Sequence, residues 1–190
     1  MNSIIPRLRV YPFKDEHRYQ DLVLLFDQLF ASNFNTRLIK GDHEPVYLPA
    51  GSGQPYAQVV FAHGFYSSAL HEIAHWCLAG EKRRELEDYG YWYCPDGRNQ
   101  QQQEEFEQVE VKPQAIEWAF CLAAGKAFQV STDNLDGVES DRQQFQSKVQ
   151  QQLKDYLLFG FPPRAQQFID ALQAFYQSQS ALQVDDAVTV

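Results

Sequence analysis

Residues 57–80 read AQVVFAHGFYSSALHEIAHWCLAG, and the change of period inside this stretch decides the fold. Ala57 to Ala62 is a compact apolar run of the kind that forms a buried strand. After His63-Gly64, the residues Leu70, Ile73, Ala74, Cys77 and Leu78 recur at helical spacing. Ser67 or Ser68 can cap this helix, which runs to about Ala79 and is stopped by Gly80. His71 and His75 are four apart, so on a helix both imidazoles project from one face and can share one cation. Glu72 lies beside them, offset by one residue. This His-Glu-x-x-His arrangement is the most specific chemical signal in the chain.

Upstream, Asp15 to Phe30 carries Leu22, Val23, Leu25, Phe26, Leu29 and Phe30 at helical spacing, and that helix is expected to end near Ser32-Asn33. Asn35 to Leu48 reads as two short strands around a Gly41-Asp42 turn, and 49–55 as a loop. Downstream, Glu81 to Asp88 could continue as a second helix, and Tyr89 to Cys94 is aromatic and strand-like. Gln100 to Ala124 is a long helix with Phe106, Val109, Ile116 and Phe120 on one stripe, interrupted by Pro113, which should kink it or begin a new first turn. Two amphipathic helices follow, about Ser140 to Phe159 and Pro163 to Gln177. The expected architecture is α+β: a small mixed sheet packed against several helices, one of them a zincin-like metal helix. Residues 16–178 form a single domain, with a lead-in at 1–15 and a tail at 179–190.

A hydrophobic content of 44% with 14 Phe and 10 Tyr belongs to a globular chain able to bury a core. No run approaches the length of a membrane helix, and the first residues lack the pattern of an export signal, so the cytoplasm is the expected compartment. Three cysteines at irregular spacing make neither a disulfide framework nor a Cys-rich zinc pattern. The net charge of −9 disfavours direct binding to nucleic acid and favours basic partners.

Two histidines need a third ligand. His63 is eight residues before His71 but sits in a turn, where a hydrogen-bonded loop role suits it equally. Glu107, Glu110, Gln114 and Glu117 share one side of the long helix, at spacings of three and four. Glu110, between Val109 and Val111, is a carboxylate in an apolar setting that needs a strong partner. Glu110 is therefore the chosen third ligand, with Glu107 in reserve. Glu104 and Glu105 look like a solvated face. Such a triad with open positions suits zinc, with Glu72 as general base, and equally ferrous iron with dioxygen.

The segments FNTRLIKGDHEPVYLPA (34–50), FAHGFYSSALHEIAHWCLAG (61–80), RRELEDYGYWYCPDGR (83–98) and FEQVEVKPQAIEW (106–118) resemble the elongation factor P hydroxylase family, over about Glu16 to Tyr176. The resemblance implies a non-heme metal enzyme that hydroxylates a lysine of elongation factor P after β-lysine has been attached to it. It also implies a metal held by His71, His75 and a carboxylate that falls by best match on Glu110.

The expected activity is therefore oxygen-dependent hydroxylation, with Fe(II) on His71, His75 and Glu110, by a monomer whose partner is the basic modified-lysine loop. Glu72 is the candidate catalytic residue, as a base or as a group that orients a histidine or water. Tyr89, Tyr91, Trp92 and Tyr93 could wall a channel for a long ammonium chain. Arg37, Lys40, Arg83, Arg84 and Arg98 are candidates for an anionic cosubstrate, although their spacing supports a surface role equally. The rivals are a zinc-dependent peptidase or amidase using Glu72 as base, and a binding module whose metal only stabilises the fold.

Overall fold

A computed structural model describes residues 17–51, 53–88, 97–132 and 141–176. Its helices are α1 (Tyr19–Phe34), α2 (Tyr66–Leu78), α3 (Gln100–Ala124), α4 (Arg142–Phe159) and α5 (Pro163–Tyr176), and its strands β1 (Thr36–Lys40), β2 (Val46–Leu48) and β3 (Ala57–Phe61). The expected α+β class, with a small mixed sheet against several helices, is what forms. Among the described residues no helix is long and apolar enough to cross a membrane. The expected strand Tyr89–Cys94 and its aromatic channel, the lead-in and the tail lie outside the described residues.

The sheet order is β1-β3-β2. β3 pairs parallel with β1, Leu38 opposite Val59, and antiparallel with β2, Tyr47 opposite Val59. The two strands flanking Gly41-Asp42 are therefore not a hairpin. β3 carries the strongest apolar run of the three and takes the central position between them, because a central strand is covered on both edges. Ala57, Val59 and Phe61 are buried in alternation, as a strand with one face on the core requires.

α1 starts later than the periodicity suggests and runs on to Phe34, where Asn35 closes it in a left-handed conformation (φ 47°). Asp27 on α1 accepts the backbone N–H of Leu38 at 3.3 Å and tethers the helix to β1. Between β3 and α2, His63 (φ 52°) and Gly64 (φ 79°) reverse the chain. A Cβ on Gly64 would lie 3.2 Å from both Lys40 and Tyr19, so this tight exit favours glycine doubly. Phe65, not a serine, is the N-cap of α2, and the Ser68 hydroxyl instead accepts the N–H of Ala62 at 3.0 Å. Leu70, Ile73, Ala74 and Cys77 are buried, and the half-buried Leu78 packs against them.

The charged segment after α2 holds only a 3-10 turn at Arg83–Glu85, not a second helix. Asp88 then exchanges backbone hydrogen bonds with Tyr47, so this segment runs along the outer edge of β2. The C-terminal carbonyls of α2 are held by Arg164 of α5, whose guanidinium donates to Trp76 O at 2.8 Å and Cys77 O at 3.0 Å and lies over the Trp76 ring.

α3 opens with a capping box of Asn99 and Gln102 and ends at Gly125 (φ 68°). It continues as a helix through Pro113, without a new start. The missing N–H of Pro113 leaves the Val109 carbonyl without its helical partner, at a turn where Val109 is 44% exposed. Val109 therefore does not belong to the buried stripe expected of it. α3 packs against α2, α4 and α5, and this contact with α2 builds the site.

Candidate metal centre

The helical spacing on α2 and α3 brings His71, His75 and Glu110 together. One ligand atom from each lies within 4.8 Å of the others, and no other such group of three exists among the described residues. His75 Nε2 is 3.0 Å from His71 Nε2 and 3.1 Å from Glu110 Oε1, while His71 Nε2 is 3.4 Å from Glu110 Oε2. Glu110 is almost fully buried, and the two imidazoles are partly open to solvent.

These separations fit a shared cation. Donors held ~2.1 Å from one ion stand roughly 3.0 Å apart at a right angle and roughly 3.4 Å apart at a tetrahedral angle. Two facing Nε2 atoms can share only one hydrogen, so two neutral imidazoles compete for it, whereas both can give a lone pair to an ion. Two nitrogens and one carboxylate make a donor set suited to zinc or ferrous iron.

The groups around the triad hold it in register. His71 Nδ1 lies 2.8 Å from Glu117 Oε2, about two turns beyond Glu110 on the same face of α3. With Nδ1–H donating to that carboxylate, Nε2 is the nitrogen whose lone pair an ion would take once its proton is displaced. Gln114 donates to Glu110 Oε2 at 3.4 Å and to Ser131 O at 2.8 Å, and accepts the Ser131 N–H at 3.0 Å. Glu117 and Gln114 were visible only as members of the three-and-four stripe. That stripe was the signal for them, since each is polar and buried among apolar neighbours.

Burial opposes a charge on His71, but the carboxylates of Glu110 and Glu117 outweigh it and raise the imidazole to about 10. Burial likewise works against the Glu110 carboxylate. His75 and His71 overcome it, with hydrogen bonds from His75 and Gln114, and bring the group to about 2. Glu72 is pushed up by burial, against the pull of the two imidazoles.

Other sequence candidates stand elsewhere. Glu107 faces Gln103 at 3.4 Å and Lys148 at 3.7 Å, away from the histidines. His63 and His43 are exposed, and His17 packs between Tyr66 and Tyr176 with its Nε2 2.8 Å from Ala124 O. Arg98 is only 1% exposed; it donates to Gln103 and Thr132 and covers the Phe106 ring. It is a buried strut rather than an anion site. Arg37 pairs with Asp27 and Lys40 with Asp42.

Glu72 lines, together with His75, a cleft bounded by Tyr47 of β2, Trp76 of α2, and Arg83, Arg84 and Asp88 of the edge segment. It has no hydrogen-bond or ion-pair partner among the described residues.

A family profile described as elongation factor P hydroxylase matches residues 25–187, a span that includes both helices of the triad. A Haemophilus influenzae protein named elongation factor P lysine hydroxylase is 52% identical over 164 residues, which cover 86% of this chain and 92% of that protein. On that extent of likeness, the chain belongs to the elongation factor P hydroxylase family.

Proposed function

We propose that this protein hydroxylates the β-lysylated lysine of elongation factor P in a dioxygen-dependent reaction, with ferrous iron held by His71, His75 and Glu110. The observation that carries the reading is the convergence of two imidazoles and one buried carboxylate within 4.8 Å, in a chain of this family. An iron bound there supplies open coordination positions at which dioxygen is activated toward an aliphatic C–H bond.

The protein's own groups prepare that site. Glu117 keeps the His71 ring turned with Nε2 toward Glu110, and Gln114 holds the Glu110 carboxylate from below. Glu72 stands on the side of α2 that an incoming substrate side chain would meet. The net charge of −9 draws a basic loop toward the enzyme at low salt and does so less as salt is added. The work is that of a monomer in the cytoplasm, where its partner operates. The zinc peptidase alternative is not favoured in a family of hydroxylases.

A mass measurement tests the proposal. Lysylated elongation factor P incubated in air with the iron-loaded protein and a two-electron reductant, which takes the second oxygen atom of dioxygen to water, should gain one oxygen atom, and His71→Ala or His75→Ala should abolish the gain together with metal binding. An unchanged mass with several reductants would overturn it.

A further inference from the structure

The geometry points to Glu72 as the anchor for the substrate's side-chain ammonium, seated in the cleft between β2 and α2. This rests on the lysine hydroxylase reading above and names the group that selects its substrate.

Glu72 and His75 are three apart on α2 and share the face that looks into the cleft. A long amine entering here therefore meets a carboxylate immediately beside a ligand of the triad. The cleft's other charges are already engaged. Arg83 pairs with Asp88, and Arg84 donates to the Ala79 carbonyl at 2.6 Å, at the C-terminal end of α2. Among the described residues, Glu72 is the charged side chain of the lining that has neither a hydrogen bond nor an ion pair.

A half-buried carboxylate that accepts no hydrogen bond recovers only part of its lost hydration from the neighbouring imidazoles, and an ammonium seated against it would supply the rest. The walls suit an aliphatic chain ending in an ammonium. Val46, Val59 and Trp76 present apolar surface to the methylenes, and the Tyr47 ring stands across the cleft from Glu72's helix. The Tyr47 hydroxyl is itself tied to the Arg84 carbonyl at 2.9 Å, so that wall is held in place. A neutral or anionic side chain of the same length would leave Glu72 unpaired or repelled. The cleft is thus a selector for positive charge next to the reacting centre.

The test is calorimetric binding of the metal-free protein to elongation factor P bearing the β-lysyl-lysine side chain, prepared with its amines free or acetylated. Wild-type protein should prefer the free-amine form by roughly 10-fold to 100-fold, the range of a charge-assisted contact. Glu72→Gln should erase that preference by weakening the free-amine form alone, and Glu72→Asp should keep part of it. Both variants are checked for an unchanged unfolding midpoint. Equal binding of the two forms by wild type, or a preference that survives Glu72→Gln, would overturn the assignment. So would a loss confined to Arg83→Gln or Arg84→Gln, which would make the cleft an anion site. Failure of the hydroxylase reading is distinct, because there even wild-type iron-loaded protein adds no oxygen.

Discussion

The Nδ1 atom of His71 and the Oε2 atom of Glu117 are 2.8 Å apart, joining the first histidine of α2 to the last buried carboxylate on the stripe of α3. This contact decides which ring nitrogen faces His75. Glu117→Ala removes it and lets the His71 ring turn, so metal affinity should fall by roughly 10-fold to 100-fold. Glu117→Gln keeps an acceptor and should recover most of that loss. Competition with a chromophoric chelator measures both.

Glu110 and Glu107 are separated by less than one turn of α3 but should behave differently. Glu110→Ala takes away the oxygen that lies 3.1 Å from His75 and should lower metal affinity by at least about 100-fold. Glu107→Ala breaks contacts with Gln103 and Lys148 only, so metal affinity should stay within a few-fold of wild type. Retained affinity in the Glu110 variant would remove that residue from the ligand set.

The pH dependence follows from two opposite shifts. His71 is raised from 6.5 to about 10, so its contribution to folding is complete below pH 6.5 and is lost as pH rises through about 10. Glu110 is lowered from 4.5 to about 2, so its contribution is present above pH 4.5 and is lost as pH falls through about 2. The metal-free protein should therefore gain most from this pair between pH 4.5 and 6.5. Metal binding must expel the His71 proton, so apparent affinity should climb about tenfold per pH unit across neutral pH. Calorimetry in buffers of different ionisation enthalpy counts that proton, and binding without proton release would contradict the shift.

Arg164 holds the C-terminal end of α2 through carbonyls of Trp76, Cys77 and Ala79. Arg164→Ala strips those acceptors and the cover over Trp76, and should cost about 2–3 kcal/mol of stability. The urea midpoint should drop with an unchanged slope.

Ile73 is fully buried between the two histidines in sequence and on the opposite face of α2. Ile73→Ala should destabilise by about 2–5 kcal/mol and Ile73→Val by about 0.5–1.5 kcal/mol, read from thermal or urea unfolding. The valine variant should keep its metal affinity, since the helix still packs on its core side.

The parts of this molecule that could be read from the sequence are those whose geometry is written locally. His71 and His75 share a face because a helix repeats every 3.6 residues, and no tertiary knowledge is needed to say so. Glu110 was selected for its valine neighbours, yet Val109 is 44% exposed, and what buries Glu110 is its place on the stripe with Gln114 and Glu117. Its burial is real, but it comes from the helix stripe and not from the valines. β1 and β2 are legible as two short strands around the Gly41-Asp42 turn, but insertion of β3 between them is a long-range choice that local turn chemistry does not encode. Arg98 looked like a surface cation, and its burial depends on Thr132, more than thirty residues away.

The amide of Gln114 clasps both the N–H and the C=O of Ser131 while also touching Glu110. The strand of chain beyond α3 is thereby buttoned to the floor of the triad, with Arg142 fastening its neighbour Val130 from the other side. A cation that tightens Glu110 should be felt at Ser131, whose amide proton would exchange more slowly on loading. Conversely, loosening this loop by Gln114→Ala would slacken the carboxylate without altering a single ligand. Loop order and ion binding at the triad should therefore rise and fall together through one side chain.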